Sequence, residues 1–489
     1  MFSFDFNGSV KVEAREANLS ADAGVLILRE IEERLGLVRT LAGRLTDPRS
    51  EEGITHPLTE LLRTRLFALA QGYTDQDDLD FLRNDPAFRL AVSERKGTAP
   101  LDPVPEDAAV RVPDGLSSQP TQSRLVESLS KFGNLEVMDT ALFDWAVAGF
   151  REQGLSGPVV LDVDSFPIEV FGSQPGSAYN GHYEIRCFHP IITMLAGTAD
   201  ILSAELRPGN VHTAHGVLEH LRPVFERARR EFGGVAALRG DAGFPEDGLL
   251  SFLETEKVPY VFRIKSNPVL DRLAQPFLHR PPGPRPNEER VWSHELSYRA
   301  EEWSRDRRIV LVILDKPGEL YLDRFFLVTS RSSAEMGGDT LLDFYRQRGS
   351  MERHLGEIKS VLCPTLSSSP RPKSTFNGQP PKKSRTVPRD GAGANAAAFL
   401  LYALAFNLMN IARNLLAEVQ PDDPVPSLET VRSRVLETAT RVTRTARRAI
   451  FIINESCRHL WRLLLDRVAC ISPRTPPLAP TGLPAPLDT

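Results

Sequence analysis

Cysteine is scarce in this chain. Four residues in 489, at Cys187, Cys363, Cys457 and Cys470, form no C-x-x-C pair and no zinc-ligand spacing. That excludes a disulfide framework and points to a reducing compartment, so a cytoplasmic location is expected. Long apolar runs are missing as well. The longest, Ala396 to Phe406, falls far short of the ~20 residues a membrane-spanning helix requires, and no membrane role is expected. The opening stretch MFSFDFNGSVKVEARE has neither a basic leader nor an apolar signal core. Nor is there an excess of positive charge: the net value of −5 does not by itself suggest a nucleic-acid partner.

Charge is unevenly distributed, however. Between Val431 and Cys470 nine arginines face three acids, and Arg441, Arg444, Arg447 and Arg448 are spaced to share one surface of a helix. That segment reads as a phosphate-facing arm or as a helix with a solvated basic face. The length implies several domains. Residues 1–150 read as helical after a short strand, SVKVEA. THPLTELLRTRLFALAQGY has helical apolar spacing, with Pro57 near its start and Gly72 at its end. A helix capped by Thr121 carries Gln119, Gln122, Ser123 and Arg124 at its entry. This suits either DNA binding or plain helix packing.

From about residue 155 the pattern changes to three strands (PVVLDVDS, FHPIITMLAG, ILSAELRPG), a long helix, a strand (VAALRGDAG), a helix and a strand (PYVFRIKS). A meander followed by alternating helix and strand implies a mixed sheet, the element order of a ribonuclease H-like α/β fold. The core's first part is expected over 155–268, a β-rich insertion over 269–335, and its second part over 336–420. A mobile basic loop is expected at 367–390, and a basic helical region with a disordered tail at 421–489.

The chemistry lies in acids and one unusual face. In VVLDVDS, Asp162 and Asp164 alternate onto one side of an apolar strand, and such carboxylates are costly unless paired. An aspartate near a strand end also caps the following turn, and for Asp162 that reading is slightly favoured. Asp241 closes another strand beside glycines. In YRQRGSMERHLGEIK, one helix would place Arg348, Glu352 and Lys359 within roughly 60° of Tyr345. A carboxylate, two cations and a phenol on one face suit a place where metal and phosphates meet, and equally an exposed face with an Arg348–Glu352 pair. Metal-assisted phosphodiester chemistry needs acids from separate rigid elements converging on ions ~3.5–4 Å apart.

Tyr345, Arg348, Glu352 and Lys359 reproduce, without a gap, the Y-(2)-R-(3)-E-(6)-K spacing of a subgroup of DDE transposases of bacterial insertion sequences. Over about 55–470, including DVDS, YNGHY, RGDAGF, the β insertion and ARRAIFIINE read as a helix, the chain resembles that family. The resemblance implies a catalytic, metal-binding triad of Asp164, Asp241 and Glu352, with Asp162 still an alternative to Asp164, holding Mg²⁺, for which Mn²⁺ substitutes. It implies phosphate contacts from Tyr345, Arg348 and Lys359. Arg444, Arg447 and Arg448 join these as DNA-binding candidates from the basic arm, and Trp292 or Trp303 as a base-stacking residue. The partners implied are double-stranded DNA, both transposon ends and target, and a second copy in a homodimeric synaptic complex, in the nucleoid of a bacterium. Cleavage would pass through a DNA hairpin, followed by strand transfer. Competing readings are a ribonuclease H-like nuclease without strand transfer, an inactive or domesticated DNA-binding derivative, and a zinc hydrolase using His212, His215 and His220.

Overall fold

The computed structural model describes residues 2–4, 7–12, 18–103, 113–283, 287–368, 391–445 and 448–472. Most of the basic loop at 367–390, Arg447 and the Pro-rich end therefore lie outside the described residues. The chain divides into two compact units, Met1–Leu125 with Ala412–Thr489, and Val126–Ile411.

The second unit carries the mixed sheet. Its elements are α1 (Asn134–Glu152), β1 (Val159–Ser165), β2 (Ile191–Leu195), β3 (Ile201–Glu205), α2 (Val217–Phe232), β4 (Val235–Gly240), α3 (Asp247–Thr255) and β5 (Tyr260–Ile264). After these come β6 (Arg290–Tyr298), β7 (Arg307–Asp315), β8 (Asp323–Thr329), α4 (Gly338–Arg346), α5 (Gly349–Glu357) and α6 (Gly391–Val419). Eight strands lie in the order β6-β7-β8-β5-β4-β1-β2-β3. The β1–β2 and β2–β3 pairs are antiparallel, while β4 runs parallel to β1 and β5 parallel to β4. A central first strand, an antiparallel meander on one side and two parallel strands on the other is the ribonuclease H-like topology expected.

The insertion is part of this sheet rather than an appendage. Strand β8 pairs antiparallel with β5 over Val261–Ile264, and β7 and β6 follow outward. One segment at the start of the region expected to be β-rich is not a strand: Pro268–Ala274 is helical, with the Asn267 side chain accepting from the amides of Val269 and Leu270. Asn followed by Pro is a strong helix start, since the cap satisfies free amides and proline loses none it needs.

Apolar side chains decide how the layers stack. Helix α2 repeats Val217, Leu221, Val224, Phe225, Ala228 and Phe232 at helical spacing and buries that stripe in the core that includes Leu161, Val163 and Leu238. Asn407 in α6 donates to Leu142 O at 3.2 Å and Ile201 O at 2.8 Å and accepts from Ile201 N at 2.8 Å, tying α6 to α1 and β3. Helix α6 is long and apolar enough to cross a bilayer by length and composition, but 83% of its most apolar window is buried within the protein. It serves here as a core helix.

In the first unit, helices Val25–Leu35, Leu58–Gln71 and Pro86–Val92 surround the fully buried Arg63, which pairs with Glu32 and Glu94. Helix Gln119–Leu129 begins before Thr121, so that residue sits inside its first turn. Gln122 is wholly buried and donates to Leu61 O at 3.1 Å and Ser117 Oγ at 2.8 Å, which commits it to packing. The basic arm is not a helix. Thr440–Arg444 and Ala449–Ile453 form an antiparallel hairpin, so Arg441 and Arg444 point to opposite faces instead of sharing one.

Candidate active site

Strand β1 runs through the middle of the sheet, and its two aspartates meet different fates. Asp162 is 1% exposed and forms a bidentate pair with Arg239 of the neighbouring β4, at 2.7 and 2.8 Å. The register sets Arg239 directly beside it. Arg239 donates also to Phe344 O at 2.7 Å, so this pair fastens β1 and β4 to α4. Asp164, two residues on, reaches the strand's end and accepts from Arg348 Nη2 at 2.5 Å. Of the two, Asp162 is closed off and Asp164 faces the cleft residues.

Asp241 follows β4, the adjacent parallel strand. Gly240 makes its position possible: a Cβ there would stand 2.7 Å from the Phe262 ring and 3.1 Å from Val163 Cγ1. The Asp241 carboxylate then accepts from Gly243 N at 2.9 Å.

The Tyr345–Lys359 stretch is not one continuous helix. Helix α4 ends at Arg346, Arg348 sits at the N-cap position of α5 without a capping bond from its side chain, and Lys359 falls in a π-turn at Ile358–Leu362. Gly349 at the start of α5 helps explain the break, since glycine weakens a helix interior. Tyr345, Arg348 and Glu352 still meet, because all three line one cleft with Asp241. Arg348 is 4% exposed and spans Asp164 and Glu352, the latter at 2.8 Å. Its Nε is buried without a hydrogen-bond acceptor among the described residues. Lys359 is exposed, its ammonium 5.2 Å from the centre of the Phe166 ring.

Electrostatics ties the acids together. Burial pushes the Asp164 carboxyl up to about 6; Arg348 pulls it down, and the charges of Asp241 and Glu352 push it further up. Burial opposes the charge on Arg348, but Asp164 and its other acidic neighbours outweigh that and hold the guanidinium more firmly protonated than usual. Asp164, Asp241 and Glu352 offer only carboxylate oxygens, the hard donors that suit Mg²⁺ or Mn²⁺. One guanidinium answers this acidic field and lies between two of its members. Among the described residues no three His, Cys, Asp or Glu side chains stand close enough together to hold a metal ion. The donor chemistry fits a divalent ion, and Arg348 is the group that would have to yield room.

The cleft holds about 400 Å³ and has a wall that sequence reasoning missed: Arg263 and Lys265 at the end of β5, and Arg324 of β8. Arg263 lies over the Phe325 ring at 5.1 Å, and Arg324 pairs with Asp271 at 2.7 Å. The visible signal was charge in FRIKS and DRFF, strands otherwise apolar.

The other candidates lie elsewhere. Trp303 is 8% exposed, donates to Pro245 O at 3.4 Å and has Arg307 over its ring. Trp292 packs against the same core. Trp303 thus has little face left for a base, whereas Trp292 is only partly buried. Arg444 is held by Asp102 and Leu101 O within its own unit, while Arg448 is exposed in the hairpin turn. His220 is buried against Thr193 Oγ1 at 2.9 Å and His212 lies 3.3 Å from Glu246, so the three histidines do not form the zinc set considered above.

No curated protein matches the chain. Among solved structures it is similar to a piggyBac transposase synaptic complex with hairpin DNA, determined by cryo-electron microscopy. The identity is 14%, the match covers 94% of this chain and 87% of that one, and the TM-score is 0.40. The family model described as "Transposase DDE domain group 1" matches residues 2–373. The chain therefore belongs to the group 1 family of DDE transposase domains, enzymes that depend on a divalent metal.

Proposed function

We propose that this protein cuts DNA at the ends of a transposable element and joins the freed ends to target DNA, as a member of the insertion-sequence subgroup bearing the Y-R-E-K signature. What supports the reading is that the buried Arg348 bridges Asp164 and Glu352, while Asp241 lines the same cleft as Arg348 and Glu352. Asp164, Asp241 and Glu352 would hold the divalent ion, Mg²⁺ or Mn²⁺. When bound, it supplies Lewis acidity and an activated water or 3′ hydroxyl.

The chain's own residues supply the rest. Arg348 donates to phosphate oxygens through its unsatisfied Nε and through the nitrogens it frees on leaving Asp164. Tyr345, whose phenol burial keeps protonated, donates beside it. Arg263, Lys265 and Arg324 receive the backbone of the strand entering the cleft. A hairpin intermediate and a homodimer pairing two ends belong to the same proposal.

Incubating the protein with DNA carrying the element's own ends and Mg²⁺, then mapping the cuts, tests it. Wild type cuts at the element boundary, and Glu352→Ala binds the ends but leaves them whole. Metal-dependent nicking that persists in Glu352→Ala would remove Glu352 from the triad.

A further inference from the structure

The loop at 208–216 carries His212 and His215 but no zinc set, and several bonds fasten it. It follows β3 and leads into α2. At its start, Gly209 O accepts from Asn180 Nδ2 at 2.6 Å, and a Cβ on Gly209 would collide with the carbonyl oxygens of Cys187 and Ala178. That seats the loop on a small sheet of Ile168–Glu169, Ala178–Asn180 and Ile185–Phe188. Its main anchor is Arg207, which is 3% exposed. Arg207 Nε donates to His189 O at 3.0 Å, and Nη1 donates to Thr213 O at 3.0 Å and His215 O at 2.6 Å. His189 N in turn donates to Arg207 O at 2.9 Å.

The residues that Arg207 grips lead to two different acids. Val211 O lies 3.3 Å from His189 Nδ1; a carbonyl can only accept, so Nδ1 carries the proton and Nε2 is left to accept from Ser165 Oγ at 3.2 Å. Ser165 N donates to Asp164 at 2.8 Å. Burial, then the Arg207 charge, push the His189 pKa down and keep that ring neutral. On the other side Thr213 lies against Gly243, where a Cβ would stand 2.7 Å from Thr213 Cβ, and Gly243 N donates to Asp241 at 2.9 Å. One guanidinium thus ties together the two segments that end against Asp164 and Asp241.

Packing alone does not call for a charge at this place. Arg207 has no ion-pair partner among the described residues, and its Nη2 is buried without an acceptor among them. Burying a cation in this way is costly, and an apolar side chain would fill the space at less cost. What the planar guanidinium supplies is donors aimed at once toward His189 and toward the loop. We infer that Arg207 is a positioning residue: by holding the loop between the Ser165 and Gly243 turns, it sets the spacing at which Asp164 and Asp241 share a divalent ion. This rests on the metal-dependent DNA cutting proposed above.

The probe is Mn²⁺, titrated into the full chain bound to a duplex carrying the element's end, with uptake read from the loss of the free-ion electron paramagnetic resonance signal. Wild type takes up the ion. Arg207→Lys keeps the charge but cannot reach both segments. It binds Mn²⁺ about tenfold more weakly, the scale of losing a group that orients metal ligands, with affinity for the duplex unchanged. Gly243→Ala, which drives the loop off Asp241 from the other side, weakens Mn²⁺ binding as well, and adding Thr213→Gly restores it. Wild-type Mn²⁺ affinity in folded Arg207→Lys overturns the inference even where its melting temperature falls, since that is the behaviour of a packing residue. So does a failure of Thr213→Gly to rescue Gly243→Ala, and this pair decides should Arg207→Lys not fold. Either result leaves the transposase function standing, whereas a wild type that takes up no Mn²⁺ on this duplex sinks both.

Discussion

Asp162 and Asp164 share a strand, a residue type and a preference for arginine, yet they serve opposite ends. Asp162 and Arg239 satisfy each other inside the sheet, both about 2% exposed at the side chain. Asp164 shares its arginine with Glu352, a side chain 67% exposed. An enclosed pair of this kind has already met its desolvation cost and gains nothing by opening. A pair whose cation is also claimed by an exposed acid at a cleft can be rearranged by a ligand. The difference comes from where the strand stops, since two residues separate the middle of the sheet from its edge.

The largest expected effect breaks the comparison at Asp164. Asp164→Asn lowers end cleavage by roughly three orders of magnitude, the several kcal/mol that metal activation supplies, while the melting temperature stays near that of wild type. Single-turnover cleavage together with calorimetry reads both. Normal cleavage would pass the role of first acid to Asp162.

Asp162→Ala does the reverse. It strands the Arg239 charge in the interior and costs about 3–5 kcal/mol of stability, read by urea denaturation. Asp162→Ala combined with Arg239→Met recovers most of that loss and cuts at the wild-type rate per folded molecule. A double variant that folds but does not cut would place Asp162 in the chemistry.

The smallest effect concerns the background against which both aspartates are compared. Full burial lowers the pKa of His220 from 6.5 to about 3. The folded state therefore keeps the imidazole neutral while the unfolded chain takes up a proton below pH 6.5. The stability due to neutral His220 is complete above 6.5 and is lost as the pH falls toward 3. Between pH 7 and pH 5 the loss is about 2 kcal/mol, and His220→Asn flattens that part of the profile. An unchanged slope would trace the acid sensitivity to other groups.

Much of this was legible in the residues. Strands β1 to β5 and their connecting helices stand where periodicity sets them, because each is a short apolar run bounded by turn residues. The acids were legible for the same reason: a carboxylate in such a run needs a partner. The partner itself was not, although Arg239 is an equally costly group in an equally apolar strand and lies two residues before Asp241. Arg348 as the link between Asp164 and Glu352 was hidden too, since pairing over 184 residues leaves no local trace. The hairpin at Thr440–Ile453 is hidden behind arginines at helical spacing, although the β-branched run AIFII favours strand. The small sheet that seats Gly209 has strands of two to four residues, too short for any period to appear.

The pairing of β8 with β5 bears on how this architecture tolerates change. Excising the insertion from β6 through β8 would strip β5 of its neighbour and leave a row of bare amides and carbonyls along an apolar ribbon, an invitation to intermolecular pairing and precipitation. The added strands are thus no detachable cassette. A minimal catalytic version of this protein would have to bring a replacement border strand of its own.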